Sequence, residues 1–418
     1  MNKTFRSAEP SWANACVGNN GDPGIADYAT GFAQAANQLL DSVIENLGLD
    51  LYTDVFIYPI CFNMRHAIEL FLKSTAADLI KLRAIRKQPH PGFNFEGSHD
   101  LGLIWKNVKA QANAFDRRYE DVIHKLDAYI QDVADLDATG QVFRYPYNTD
   151  KTKHLTEVGI INIRVLKKQF CEMGHLLHEL QCMSEFLLKE YAWGTFTNNL
   201  SRHQLYEIAK QLPDRSTWSN ESFALARDRV KDAYGLSSRE LSTALDLIQK
   251  RHEMAHLIGV EVKIPGLTHN LLTNVFDHWF KLHDREDFLL PPEPGIVSSS
   301  MPSLDELLMW SVRVRESAMV LSKEINPSDF AIFDALFYFH FEPQVSESFD
   351  IILKLKLGEM KRLASDQSEY ADVIECLLEK KRFAEQMLKS LYFLGQRELL
   401  AFLVSHYGLE KARDRLLT

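Results

Sequence analysis

Apolar residues recur at steps of three and four positions through most of this chain, which is the period of an amphipathic α-helix. The stretch YATGFAQAANQLLDSVIENLG, from Tyr28 to Gly48, is one example, and VGIINIRVLKKQFCEMGHLLHELQCMSEFLLKEY is a longer one. Residues that break helices are scarce, since the 418 positions hold only 19 glycines and 14 prolines. The pattern therefore predicts an all-α fold.

The length and the polar interruptions predict two helical bundles followed by a helical extension. Residues 1–24 are polar and turn-rich and are expected to form a flexible arm. Residues 25–195 form the expected N-terminal domain, and the turn-rich stretch WGTFTNNLS marks its end. Residues 196–326 form the expected second domain, and residues 327–418 form the expected helical tail.

The formal net charge of −10 argues against a protein that binds nucleic acid through a broad basic surface. Any such contact would come from a local group of cations. The five scattered cysteines do not make a disulfide framework, and the sequence has neither an apolar signal core nor a run of 18 apolar residues. We therefore expect a reduced, cytoplasmic protein without a membrane partner.

The six residues RHEMAH, from Arg251 to His256, fit the motifs of two different enzyme classes. They lie near the end of the stretch SSRELSTALDLIQKRHEMAHLIG, which the apolar period predicts to be one amphipathic helix. Ser237 or Ser238 is the predicted N-cap of this helix, and Glu240 completes a capping box. One interpretation of the six residues is a zinc site, and the other is a metal-independent ribonuclease.

Starting at the first histidine, the letters HEMAH spell the H-E-x-x-H motif of zinc hydrolases. His252 and His256, four residues apart, would both ligate the ion, and Glu253 would act as general base. Val262 occupies the position of the third ligand in the extended motif, which leaves Glu286 as a downstream substitute without a distinctive context. The charged residues before the motif and the lack of a predicted sheet also weigh against zinc.

Starting at the arginine, the same letters supply groups that cleave RNA without a metal or other cofactor. Such cleavage needs a base for the 2′-hydroxyl, an acid for the leaving 5′-oxygen and a cation for the phosphorane charge. Arg251 would stabilise that charge, His256 would act as base or acid, and His252 would position the scissile group. On an ideal helix Arg251 and His256 are about 140° apart and line the edges of one face. A single helix offers too few groups, so two copies are expected to build a composite site.

The stretch ALDLIQKRHEMAHLIG resembles the signature helix of HEPN domains, which are all-α bundles of four or five helices. Ribonucleolytic HEPN domains carry R-(N/D/H)-x-x-x-H, and Arg251, His252 and His256 fall on its three fixed positions. The glycine that usually follows the histidine is displaced here to Gly259. The resemblance implies a homodimeric endoribonuclease acting on RNA in bacterial anti-phage defence, abortive infection or a toxin–antitoxin system. It also implies a neutralising or activating protein partner.

The N-terminal half is similar to HEPN-like domains more diffusely, through RHAIELFLKSTAADL and SHDLGLIW. Arg65 and His66 match the first two letters of the motif, but Leu70 stands at the histidine position. The resemblance implies a degenerate domain with a sensing or dimerisation role. Arg65, Glu69 and Lys73 recur every four residues, and the default expectation for such a series is a solvent-exposed ladder of ion pairs.

The segment Phe143-Arg144-Tyr145-Pro146 combines a cation with aromatic rings, a combination that stacks on nucleic-acid bases or similar ligands. A loop anchored by its buried aromatic side chains is the commoner arrangement of such residues.

For the chain as a whole, the third class of function beside ribonuclease and zinc hydrolase is a non-catalytic helical interaction protein.

Overall fold

The computed structural model describes residues 2–45, 52–89, 92–284, 303–340 and 345–417. These ranges contain seventeen α-helices and no β-strand, which confirms the all-α prediction. The chain divides into two compact units, Met1–Gly194 and Thr195–Thr418.

The described residues of the first unit form five α-helices. They are α1 (Ile25–Glu45), α2 (Thr53–Ile85), α3 (Leu101–Phe115), α4 (Glu120–Asp137) and α5 (Ile163–Ala192). Helix α2 is central, because α1, α3 and α5 all pack against it. Its buried side chains include Ile60, Ile68, Leu72 and Leu79. Removing side chains of this size from water contributes about 1.5–3 kcal/mol each.

Helix α2 is also the one helix in the described part of the chain with the length and apolar composition of a membrane span. Much of it is covered by neighbouring helices of the first unit, as expected of a central core helix. The apolar composition of α2 alone is therefore weak evidence that this helix spans a membrane.

Arg65 of α2 is buried and holds two connecting segments of the first unit against this helix. Its guanidinium donates to the carbonyl oxygens of Asp137 (3.2 Å), His99 (2.5 Å) and Ala138 (2.7 Å), and it pairs with Glu69. The side chains of Arg65 and Glu69 are each 3% exposed, so the expected solvent-exposed ladder is wrong at these positions. The loops that cover α2 place carbonyl oxygens in the interior of the unit, where each needs a hydrogen-bond donor because water is excluded. The guanidinium of Arg65 supplies the N–H groups that they accept.

We expect Arg65→Ala to lower the free energy of unfolding by about 3–5 kcal/mol, because Glu69 and the carbonyl oxygens stay buried without their donor. Urea denaturation followed by circular dichroism measures the loss. Lys81→Ala on the same helix is the matched control, since Lys81 is 64% exposed in its ion pair with Asp78. That variant should lose less than about 1 kcal/mol. Equal losses in the two variants would contradict the structural role of Arg65.

The described residues of the second unit form twelve α-helices. In chain order they are α6 (Arg202–Gln211), α7 (Glu221–Tyr234), α8 (Ser238–Ile248), α9 (His252–Leu257), α10 (His269–Leu282), α11 (Leu304–Glu324), α12 (Pro327–Phe339), α13 (Glu347–Leu363), α14 (Gln367–Leu378), α15 (Phe383–Phe393), α16 (Arg397–Tyr407) and α17 (Glu410–Leu417). One apolar cluster joins α6 to α9, and a larger one joins α10 to α17.

The helices from residue 327 onward share a core with the helices before them. Phe276 of α10 and Leu321 of α11 belong to the same hydrophobic cluster as Phe333, Met387 and Leu403. The expected division at 326/327 therefore falls inside one core rather than at a gap in the packing. The physical reason is that α12 is apolar on nearly all sides and must be surrounded to be kept from water. The observed boundary after Gly194 lies one residue from the expected division at 195/196.

Candidate functional site

The helix predicted to run through RHEMAH is interrupted, so the prediction of one continuous helix is wrong. Helix α8 ends at Ile248 and α9 begins at His252, and Arg251 between them is extended, with φ −99° and ψ 119°. Arg251 is therefore the residue that precedes α9 rather than a member of its face. The separation of about 140° that an ideal helix would give Arg251 and His256 does not apply.

Arg251 is engaged by carboxylates of α13. Its Nη1 lies 3.3 Å from Oδ2 of Asp350, and its Nε lies 3.9 Å from Oε1 of Glu347. The second distance is too long for a hydrogen bond, and Nε is excluded from solvent without a hydrogen-bond partner. The positive charge that was predicted to face a phosphate is thus directed toward two acidic side chains.

His252 is buried and serves to fix the start of α9. Its Nδ1 lies 3.2 Å from the carbonyl oxygen of Leu394, and its ring meets the ring of Phe349 edge-on. Burial lowers the pKa of His252, and nearby Arg251 lowers it further. Because a carbonyl oxygen only accepts, Nδ1 carries the hydrogen of the neutral ring. A neutral imidazole held in this way is suited to a structural role.

Glu253 belongs to a buried ionic cluster with Arg202 of α6 and Glu347 of α13. The guanidinium of Arg202 donates twice to Glu347, at 2.9 Å each, and its Nη2 lies 2.7 Å from Oε1 of Glu253. The other oxygen of Glu253 accepts from the backbone N–H of Ser346 at 2.9 Å. Sequence reasoning gave Glu253 no role outside a zinc site, whereas here it ties α9 to two other helices.

The charge state of this cluster follows from Arg202. Burial alone would raise the pKa of Glu347, but the hydrogen bonds and the positive charge of Arg202 outweigh it and hold that pKa below its usual value. Burial would likewise lower the pKa of Arg202, and the two carboxylates raise it instead. Arg202 and Glu347 are therefore both ionised at neutral pH, and each depends on the other for its stability away from water.

We expect Arg202→Met to lower the free energy of unfolding by about 3–5 kcal/mol at neutral pH, because it leaves two carboxylates buried without their cation. Arg227→Met is the matched control, since Arg227 forms an exposed ion pair with Asp228 and should contribute less than about 1 kcal/mol. Urea denaturation of the two variants and the wild type measures both losses.

The loss of unfolding free energy in Arg202→Met should change with pH in a defined direction. In the wild type the depressed pKa of Glu347 gives stability that is complete above the usual glutamate range and is lost as the pH falls through the folded-state value. In Arg202→Met the buried carboxylate of Glu347 has lost this cation and gains from protonation instead. The stability difference between wild type and variant should therefore shrink between about pH 7 and about pH 5. A difference that stays constant over this interval would exclude the cluster as its cause.

His256, at the end of α9, pairs with an arginine that the motif does not contain. Nε of Arg397 donates to Nδ1 of His256 at 3.2 Å, and Nη2 of Arg397 donates to the carbonyl oxygen of the same histidine at 3.1 Å. Arg397 is exposed at the first position of α16, and within the described ranges it forms no ion pair with a carboxylate. The structure thus brings His256 together with Arg397 and places Arg251 among carboxylates.

Two glycines allow this arrangement. Gly395 has φ +65°, and a Cβ at this position would lie 3.0 Å from Nδ1 of His256, closer than normal packing permits. Gly259 has φ +72°, ends the turn after α9 and would place a Cβ against the carboxylate of Asp214. Both positions need the left-handed backbone that glycine adopts without strain. The displaced glycine of the motif therefore still forms the turn that follows the histidine.

His256 and Arg397 line a pocket of about 230 Å³ between α9, α15 and α16. Tyr392, Gln396 and Arg413 complete its polar wall. Partial burial lowers the pKa of His256, and the charge of Arg397 lowers it further. At neutral pH the imidazole is therefore uncharged and able to accept a proton, beside a cation that is permanently charged.

The three groups of the alternative zinc site have separate partners. His252 faces Leu394, Glu253 is bound by Arg202, and His256 is bound by Arg397. Throughout the described ranges, no three side chains of the metal-binding types converge, and Glu286 lies outside those ranges. A general base already bound by an arginine is poorly suited to activate water, so the geometry does not favour the zinc interpretation.

Comparisons of the chain with protein-family models, with curated proteins and with solved structures gave no match. The resemblance to HEPN domains consequently stands on the residues quoted for it.

Proposed function

We propose that this protein is a metal-independent endoribonuclease in which His256 transfers protons and Arg397 binds the scissile phosphate. The observation that carries the proposal is the pair itself, in which a partly exposed, neutral imidazole accepts, at 3.2 Å in one pocket, from a guanidinium that forms no ion pair with any described carboxylate. A base and a cation for the phosphorane charge are two of the three groups that RNA cleavage requires.

The reaction follows from the hydrogen bond between the two residues. When a phosphate accepts the N–H groups of Arg397, Nδ1 of His256 is released and takes the proton of the 2′-hydroxyl. The 2′-oxygen attacks the phosphorus, the bond to the 5′-oxygen breaks, and the protonated His256 of a second copy gives its proton to that oxygen. The products are a 2′,3′-cyclic phosphate and a 5′-hydroxyl. The fork of an arginine suits the phosphorane because it donates to two oxygens at once.

The other motif residues have supporting roles in this proposal. Arg251 and His252 hold the start of α9 through Asp350 and Leu394, and so position His256 at its end. The roles that the motif alone suggested, phosphate binding by Arg251 and positioning of the scissile group by His252, are thus replaced by roles in positioning α9.

A homodimer belongs to the proposal, because one His256–Arg397 pair provides a base but no separate acid for the leaving oxygen. A second copy would supply the missing histidine. The setting in anti-phage defence, abortive infection or a toxin–antitoxin pair rests on the HEPN resemblance alone. Light scattering during size-exclusion chromatography tests the dimer independently of activity.

We expect His256→Ala and Arg397→Ala to reduce RNA cleavage in EDTA by about 100-fold or more, the usual contribution of a proton-transfer group or of a cation at the transition state. His175→Ala and Arg313→Ala are matched controls, since both residues are exposed and lie outside the pocket. A fluorescent RNA substrate and mapping of the cyclic-phosphate ends provide the readout. Cleavage that disappears in EDTA, or that survives in His256→Ala, would refute the proposal.

The acid limb of the pH–rate profile tests the same histidine. Burial and Arg397 lower the pKa of His256, so its neutral form persists below the ordinary histidine value of about 6.5. We expect the acid limb of kcat/KM to lie below that value in the wild type and to move upward in Arg397→Gln, which removes the charge. A limb that does not move between the two proteins would assign it to another group.

The second candidate is a non-catalytic helical interaction protein. The observation that favours it is the pairing of Arg251 with Asp350 and Glu347, because an arginine neutralised in this way is typical of a structural ion pair. Binding to a protein partner that is unchanged in His256→Ala, together with no RNA cleavage by the wild type, would support this function instead.

A further inference from the structure

The first unit contains a pocket of about 860 Å³ between the N-terminal end of α2 and residues 142–161. This volume is in the range of pockets that hold small organic ligands and cofactors. The pocket contains neither His256 nor Arg397, so it is separate from the proposed ribonuclease site.

Two exposed cations of this pocket have no acidic partner. Arg144 and Lys153 line it, and neither forms an ion pair with any carboxylate that the structure describes. The guanidinium of Arg144 lies 5.3 Å from the ring centre of Tyr145 and 5.6 Å from that of Phe62. Stacking on two rings and a hydrogen bond from its Nη2 to Oη of Tyr145 (3.4 Å) hold this cation in place, and its remaining N–H groups are able to donate to a ligand. Two positive groups in one pocket favour an anionic ligand.

His154 adds a polar group that lacks a partner. Its Nε2 is excluded from solvent and makes no hydrogen bond to any residue that the structure describes, although a buried nitrogen of this kind is normally satisfied. The backbone N–H of His154 donates to the carbonyl oxygen of Pro146 at 3.1 Å, and Tyr147 bridges to Lys153. These bonds fix the segment that presents the lysine and the histidine together.

The backbone of the same segment is strained. Leu155 lines the pocket with φ +56°, a conformation that costs a residue with a branched side chain free energy. Such strain persists where surrounding contacts impose it, and it is common where a loop grips a ligand.

The remaining wall suits a flat aromatic ring. Tyr58 and Tyr145 offer ring faces, and Ile57 and Val158 offer aliphatic contacts. Ile160, also in the wall, is 93% exposed, so a ligand would cover apolar surface that otherwise faces water. Phe143 is buried, as the structural interpretation of its segment expected, but Arg144 and Tyr145 beside it remain open to the pocket.

We propose that this pocket binds a nucleoside phosphate. The phosphate lies against Arg144 and Lys153, and the base lies between the tyrosine rings and the aliphatic wall. Asp54, at the start of α2, is the one carboxylate among the described residues of the wall and is placed to accept from a ribose hydroxyl or an exocyclic amine. Charge and stacking together distinguish this ligand from inorganic phosphate, which meets the cations alone.

Calorimetric titration of the full chain with adenosine 5′-monophosphate, adenosine and inorganic phosphate tests the site. We expect the nucleotide to bind more tightly than either fragment. Arg144→Ala and Lys153→Ala should each weaken nucleotide binding about tenfold or more, through loss of a charge-assisted hydrogen bond. Lys106→Ala is the matched control, because Lys106 is exposed on α3 and does not line the pocket. Tyr58→Ala should weaken nucleotide binding and leave phosphate binding unchanged, because Tyr58 lines the pocket on the side proposed for the base.

Competition by a 5′-phosphorylated RNA hexamer identifies the source of the ligand. Displacement of the mononucleotide assigns the site to the end of a strand, and its absence assigns the site to a free nucleotide. No nucleotide binding at about 1 mM, or equal affinity in Arg144→Ala, Lys153→Ala and Lys106→Ala, would overturn the proposal. Because His256 is not involved, this result is independent of RNA cleavage.

Discussion

The buried ion cluster around Arg202 is the interaction on which the candidate site depends. Helix α9 has only six residues, too few for a helix that is stable by itself in water. Glu253 anchors it to Arg202 of α6, and Arg202 in turn holds Glu347 at the start of α13. Because Arg202 and Glu347 are buried and Glu253 is 15% exposed, the three charges have little water to replace one another's contacts, so the three helices are fixed together. This arrangement positions His256, at the end of α9, in its pocket.

The sequence motif assigns phosphate binding to one arginine, whereas the structure offers two arginines for that role. Arg251 adjoins the histidines in sequence, but its charge is directed toward Asp350 and Glu347. Arg397 is 141 residues away from His256 in the chain, yet its guanidinium contacts both the ring and the carbonyl oxygen of that histidine. A phosphate needs a cation that is accessible and not already neutralised, and of these two arginines Arg397 is the exposed one that forms no ion pair with a described carboxylate. In the proposed ribonuclease, the cation of the motif is therefore supplied by a different arginine.

Helix caps and turns could be predicted from short sequence signals, because these interactions join residues that are neighbours in the chain. Ser237 and Glu240 form the predicted capping box of α8, and Gly259 forms the turn after the motif. The break before α9 was not predicted, because Gln249 to Arg251 carry no helix-breaking residue. The extended backbone there follows from tertiary contacts, in which His252 and Glu253 are drawn to Leu394 and Arg202.

The sequence by itself determined that the chain is helical and that His256 belongs to a segment of chemical interest. Helical period, caps and turn glycines act over a few residues, so they can be read from neighbours in the chain. Only the tertiary structure decided that Arg65 and Glu69 are buried, that the last ninety residues share a core with α10 and α11, and that Arg397 is the partner of His256. These outcomes depend on which distant helices cover a given side chain, because desolvation fixes whether a charge is paired, neutral or free.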